Sequence, residues 1–215
     1  IYLKNSSGIL VQPGSPGQTF NVEVRPTIGG SHDFNIVNNG SGTLAFDRNI
    51  NASPGCNATV IFDGTGGITI SKLIRRHATQ TTNVSLVKNG SGTLTITDAD
   101  TRTGNARGDG TSYGAPTGTT TINAGTIRID DEANLGANPG GYWTWDGSVD
   151  TFVPGTFNPA ALTLNGGILQ ATASFAIDDS NRGITVGSNG GTFAVDATRT
   201  LTIGNVITGG GSLTK

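Results

Sequence analysis

The sequence predicts an all-β chain wound as a β-solenoid with loop insertions. Three observations predict it: a composition dominated by strand and turn formers, a glycine-led strand motif that returns at intervals near 25 residues, and strict apolar/polar alternation within most copies of that motif.

The composition comes first. The 215 residues include 34 glycines, no Met, and only 13% charged residues. Thr, Val and Ile favour strands, Gly and Asn favour turns, and helix formers never recur at i, i+3, i+4 over ten residues. No uncharged run has the length or apolar purity of a membrane helix, so a soluble chain is expected. The net charge of −2 and the lack of a basic stripe remove the electrostatic footprint of nucleic-acid binding. Lys72, Arg75, Arg76 and His77 form the one basic cluster and read as a solvated strand edge. Cys56 has no second cysteine to pair with, and His32 and His77 lack metal-type spacing, so no cofactor and no metal site is expected. A chain that begins at Ile1 without Met reads as a processed or excised piece of something longer.

The elements follow in order from the repeated glycine. It stands at Gly8 in "NSSGIL", Gly42 in "NGSGTLAF", Gly67 in "GTGGITI", Gly92 in "NGSGTLTI", Gly125 in "NAGTIRI", Gly167 in "NGGILQA" and Gly191 in "NGGTFAV". Residues 1–32 are read as divergent N-terminal turns, and residues 33–215 as the regular β-helix. Its long intervals hold two insertions, at 105–118 and 137–155. A unit of this length, built of short strands and polar turns, buries its inner face only by stacking on its neighbours. Alternation assigns Leu44 and Phe46, Ile68 and Ile70, Leu94 and Ile96, Ile127 and Ile129, Leu169 and Ala171, and Phe193 and Val195 to the interior. The intervening Thr43, Ala45, Thr69, Thr93, Thr95, Thr126, Arg128, Gln170, Thr192 and Ala194, mostly small or polar, suit the solvent face, with Ile168 the exception. Eight or so turns at strand spacing give a rod about 35–40 Å long. Asn5, Asn39, Asn89, Asn123, Asn165 and Asn189, just before the glycines, are expected to form a stacked amide ladder. Lys4, Lys88 and Lys215 are read as equivalent points of the repeat.

From residue 84 onward, "SLVKNGSGTLTITDADTRTG" and "TTTINAGTIRIDDEANLG" resemble the autotransporter-associated β-strand repeat of bacterial surface proteins. That repeat has a Gly-Thr-Leu-x-Leu strand, a polar loop, a Thr-Thr-led strand and a closing Leu-Gly. The stretch from "ALTLNGGILQAT" to "GGGSLTK" resembles the segment that commonly follows it. Asp98, Asp100 and Arg102 depart from the family loop, and "YWTWDGSVDTFVPG" is additional. The resemblance implies a right-handed parallel β-helix in the exported passenger of such a protein, extracellular and serving as stalk or spacer. It carries no catalytic residues with it.

Candidate chemistry is sparse. Asp130, Asp131 and Glu132, and separately Asp178 and Asp179, are the acidic clusters, but neighbours on a strand face opposite ways and no partner His or Arg stands at an equivalent place one turn away. Catalysis is therefore not expected. No Gly-x-Ser-x-Gly elbow is present, and "GDGTSYG" lacks the helix a phosphate loop needs. The six Asn-x-Ser/Thr triplets reflect the Asn-, Ser- and Thr-rich composition, so no glycans are expected. Tyr142, Trp143 and Trp145 in the second insertion are the candidate ligand-binding residues. Two tryptophans at alternate positions can make a stacking platform for sugars, while the competing reading is that the loop covers the side of the coil. The expected function is a structural segment of an extracellular surface protein that continues into a longer chain or associates end to end. The alternative is a glycan-binding or polysaccharide-active β-helix using the aromatic insertion.

Overall fold

The computed structural model describes residues 2–3, 8–26, 30–51, 56–72, 74–75, 84–97, 105–107, 111–113, 118–136, 142–145, 148, 150–153 and 155–215. They form a parallel β-solenoid. Two sheets of eight parallel strands each run the length of the molecule. The first contains Gly8–Val11, Gly30–Asn38, Cys56–Asp63, Val84–Lys88, Thr120–Ile122, Asn158–Leu164, Arg182–Val186 and Ile207–Gly209. The second contains Gln18–Phe20, Leu44–Phe46, Ile68–Ile70, Thr93–Ile96, Thr126–Ile129, Ile168–Ala171, Gly191–Val195 and Leu213–Thr214. Each rung passes from the first sheet, round an Asn/Gly corner, into the second. Short strands supply a third face, with Tyr2–Leu3 on Arg25–Pro26, Ile50–Asn51 on Ile74–Arg75, and Phe175–Ile177 on Leu201–Ile203.

The core lies between the walls. Along the second sheet Leu44, Ile68, Leu94, Ile127 and Leu169 pair successively in register and are all buried. Of the twelve positions expected inside, eleven are buried, and Val195 is half-exposed because the last strand of the sheet pairs only with Gly191 and Thr192 and does not reach it. The first sheet faces them with a second file, Ile36, Phe62, Lys88, Ile122, Leu164 and Val186, each paired with the next. Near the N-terminal end Phe20 stacks on Phe46 with ring centroids 5.2 Å apart.

The pairing corrects the reading of the repeat at three points. Gly8 pairs with Asn35 and belongs to the first sheet; the second-sheet strand of its rung is Gln18–Phe20, whose Gln18 pairs with Leu44. Because Leu44 pairs with Ile68, the glycine equivalent to Gly42 is Gly66, not Gly67. Thr214 pairs with Thr192, which sets Lys215 beside the second sheet, whereas Lys88 closes a strand of the first, so the two lysines are not equivalent. Lys4 lies outside the described residues.

The insertions leave the ladder intact. Asn105–Arg107 pairs antiparallel with Thr111–Tyr113, and Tyr142–Trp145 with Asp150–Val153, as two separate ribbons. Around them Leu86 still pairs with Thr120, and Thr120 with Leu162. A hairpin satisfies its own backbone groups, so it can interrupt the interval without taking a strand from the stack.

Truncating the centre of the interior file tests this arrangement. Leu94→Ala should cost roughly 2–5 kcal/mol in urea unfolding, from lost burial plus the cavity left between two rungs. The solvent-side Thr95→Ala should change stability by no more than about 0.5 kcal/mol. Equal effects at the two sites would contradict the register.

Candidate functional site

The two acidic clusters that the sequence leaves apart meet in space, and an arginine joins them. The arginine heads a first-sheet strand, so it reaches the carboxylates without standing at the equivalent place of the repeat, where none was expected. Asp131 is the N-cap of a 3-10 helix, Glu132–Leu135, accepting from the Ala133 amide at 2.9 Å, while Asn134 Oδ1 accepts from the Asp130 and Asp131 amides at 3.1 and 3.2 Å. This tight turn aims Glu132 at the loop before Arg182–Val186. There its carboxylate accepts from the Asp178 amide at 3.1 Å, the Asp179 amide at 3.2 Å and Arg182 Nε at 2.9 Å. Arg182 also donates through Nη2 to Asp179 Oδ2 at 2.8 Å and to the Gly136 carbonyl at 2.7 Å. Its side chain is 1% exposed.

A guanidinium so buried needs its donors matched, because an unpaired charge in such a place costs several kcal/mol. Asn205 completes the cluster by donating to the carbonyls of Asp179 and Arg182 at 2.8 and 2.7 Å. Through these bonds the cluster acts as a clasp holding the 132–135 turn against Phe175–Ile177 on the third face, with Asn205 Oδ1 buried and without a hydrogen-bond partner. Burial raises the Glu132 pKa above its usual 4.5, outweighing the amide bonds and the Arg182 charge. Among the described residues no group of three His, Cys, Asp or Glu side chains could hold a metal.

A second polar element sits at the corner. Lys88 occupies an interior position between Phe62 and Ile122 and is 2% exposed, and its ammonium donates to the Gly90 carbonyl. Desolvation lowers its pKa, and the Asp63 charge opposes that shift. Outside the corner, Asn123 Nδ2 donates to Asn89 Oδ1 at 2.9 Å and Asn165 Nδ2 to Asn123 Oδ1 at 3.5 Å, so the amide ladder spans three rungs. Asn189 continues it only through its backbone amide, at 3.3 Å from Asn165 Oδ1. Asn39 is not in the ladder. The buried Asn38 instead bonds the corner itself, donating to the Gly42 and Gly67 carbonyls at 3.0 and 2.7 Å. Asn5 lies outside the described residues.

Tyr142, Trp143 and Trp145 all fall on one strand of the second ribbon, with Trp143 opposite Phe152 and Trp145 opposite Asp150. The strand Asn105–Arg107 of the first ribbon runs close to them, so the two insertions leave the coil on the same side. The ribbon and the Arg182 clasp are separate features. Asp98, Asp100, Arg102, Arg76 and His77 lie outside the described residues. Sequence reasoning missed Arg182, Lys88 and Asn38; for the two cations the available signal was a basic residue at an inward-facing strand position.

No protein-family model matches the chain, and neither a curated protein nor a solved structure is significantly similar to it.

The Glu132 shift gives a signed pH dependence. Folding favours the protonated carboxyl, so this contribution is full below pH 4.5 and is lost as pH climbs through the raised folded-state value. Glu132→Gln removes that slope. Urea titrations from pH 4.5 to neutrality should show wild type losing ground steadily against the variant; a flat or widening advantage for wild type contradicts the assignment.

Proposed function

We propose that the chain is a stalk or scaffold segment of an extracellular bacterial surface protein, of the kind its repeat resembles. The observation that carries this reading is the unbroken stack: both main sheets run through eight parallel strands, and the insertions are accommodated outside the ladder. Regular stacking gives reach and rigidity at little sequence cost, and nearest-neighbour contacts allow the rod to be lengthened rung by rung.

As part of this reading, copies of the chain associate end to end. Ile207–Gly209 and Leu213–Thr214 each pair on one side only. Ile207 and Leu213 are 41% and 45% exposed, and with Phe193, Val195, Leu201 and Ile203 they line a cavity of about 260 Å³. An open parallel edge over apolar side chains accepts a further rung. In this reading a second copy stacks head to tail, and such a contact does not close and builds filaments. The alternative reading, a glycan-binding or polysaccharide-active β-helix, draws on Tyr142, Trp143 and Trp145 being gathered on one strand of a ribbon apart from the ladder.

Electron microscopy of the isolated chain tests the scaffold reading. Rigid rods about 35–40 Å long, or integral multiples of that length, are expected. Ile207→Glu with Leu213→Glu should abolish the multiples and keep the single rod. Deleting residues 141–154 should leave the strand-type circular dichroism and the rod unchanged. Compact globular particles, or loss of fold on that deletion, would overturn the reading.

A further inference from the structure

The sequence contains four Asn-Gly steps, Asn39–Gly40, Asn89–Gly90, Asn165–Gly166 and Asn189–Gly190, and each stands at a corner between the two main sheets. Asn-Gly is a dipeptide prone to succinimide formation, because glycine has no Cβ to keep its nitrogen away from the asparagine side chain. The corners hold these steps differently. Gly40 N–H donates to Asn38 Oδ1 at 3.0 Å, Gly166 N–H to the Gly190 carbonyl at 2.7 Å, and Gly190 N–H to the Gly187 carbonyl at 2.9 Å. In each of those rungs the nitrogen that would attack is tied.

The Asn89–Gly90 peptide is not tied: neither its carbonyl nor its N–H is hydrogen-bonded to another described residue. Its flanks are anchored instead, by the Asn89 amide donating to the Phe62 carbonyl at 2.9 Å and by Lys88 donating to the Gly90 carbonyl. The Asn89 side chain is exposed, and its Oδ1 accepts from Asn123 Nδ2 at 2.9 Å. A peptide unit anchored on both sides and free between them can turn its nitrogen toward its own side chain.

We propose that Asn89 is a site of spontaneous modification, converting through a succinimide to aspartate and isoaspartate while the other three Asn-Gly steps are protected. Solvent base takes the Gly90 amide proton, the nitrogen bonds to Asn89 Cγ, and the Cγ–Nδ2 bond breaks with release of ammonia. Water then opens the ring at either carbonyl carbon, and nothing is oxidised or reduced. Opening one way gives aspartate, with a new negative charge and an oxygen that still accepts from Asn123 Nδ2. Opening the other way routes the main chain through the former side chain and lengthens it by a methylene.

The corner has no room for that methylene. A Cβ on Gly90 would lie 2.1 Å from the Gly64 carbonyl oxygen, and one on Gly125 would lie 2.4 Å from the Gly90 carbonyl oxygen, so the backbones of three successive rungs touch here. The lengthened chain displaces the Gly90 carbonyl from Lys88, whose buried ammonium then lacks its acceptor. Isoaspartate at position 89 therefore loosens the stack. The modification belongs to the corner, and stands or falls independently of the rod's structural role.

The test is peptide mapping by mass spectrometry of the whole chain, aged at mildly alkaline pH either folded or in urea. Asn39 and Asn89 share the context "NGSGTL", so each is the other's internal control. In the folded chain Asn89 should convert about threefold or more faster than Asn39, Asn165 and Asn189, the factor set by breaking one hydrogen bond of ordinary net strength. In urea the four should convert at similar rates. Ageing should lower the urea midpoint of wild type, whereas Asn89→Gln, at an exposed position, should keep its midpoint. Three outcomes would overturn the proposal: conversion of Asn89 no faster than that of Asn39 in the folded chain, a lead for Asn89 that persists unchanged in urea, or equal loss of midpoint with age in wild type and Asn89→Gln.

Discussion

A coil with two main walls has room for little more than one layer of side chains, and every rung must fit the one before it at contact distance. That constraint writes the sequence. At Gly167 a Cβ would lie 2.3 Å from Ile122 Cγ2, and at Gly191 it would lie 2.3 Å from Leu164 Cβ. In these two rungs the second wall opens with glycine because the first wall of the preceding rung fills the corner with a large aliphatic, whereas at Gly42, Gly92 and Gly125 a Cβ would meet the neighbouring rung's backbone, 2.0 Å from Gly17 N, 2.3 Å from Gly66 O and 2.4 Å from Gly90 O. The apolar residue two positions later then occupies the interior proper. "NGSGTL" recurs because the same corner recurs, and the fifty residues between its two copies span two rungs of the stack.

The same constraint explains the polar residues inside. A solenoid has no deep core in which to lose a misplaced side chain, so Lys88 must place its ammonium at the corner, where the Gly90 carbonyl receives it. Arg182 is handled differently, by a clasp of two carboxylates and two carbonyls brought from loops far apart in sequence. Such buried ion groups contribute little net stability, because desolvation offsets the attraction, but removing one partner leaves the other uncompensated. Their effect is to specify which rung meets which, and that matters in a chain whose repeats are close to interchangeable.

The second wall was legible because Gly-x-aliphatic alternation marks it directly, and eleven of its twelve assigned interior residues are buried. The first wall was harder. "HDFNIVN" and "NATVIFD" alternate just as well, but Gly30, which heads the first of these strands, stands four residues before its first apolar residue, Phe34, and in "NSSGIL" a glycine at the head of a first-wall strand imitates the marker of the second. The Glu132–Arg182 pairing joins residues 50 positions apart and depends on a 3-10 turn whose direction no periodicity reports. Asn123 and Asn165 stack as expected, whereas Asn39 does not, because its neighbour Asn38 takes the corner bonds in that rung. The place of the aromatic ribbon was readable from the longest interval alone.

The central claim is that the 42-residue interval between Ile127 and Leu169 is one rung of the stack, with its ribbon looped outside. Thr121 and Thr163 lie opposite each other across that rung. At strand spacing their Cα separation falls inside the disulfide range of about 4.4–6.8 Å. In a Cys56→Ser background, Thr121→Cys with Thr163→Cys should oxidise to a single intramolecular disulfide, identified by mass spectrometry of the digested chain. Thr121→Cys with Asn165→Cys, shifted by two positions, should remain reduced under the same conditions. Crosslinking of the shifted pair, or its failure in the matched pair, would contradict the rung assignment on which the rest of the structure depends.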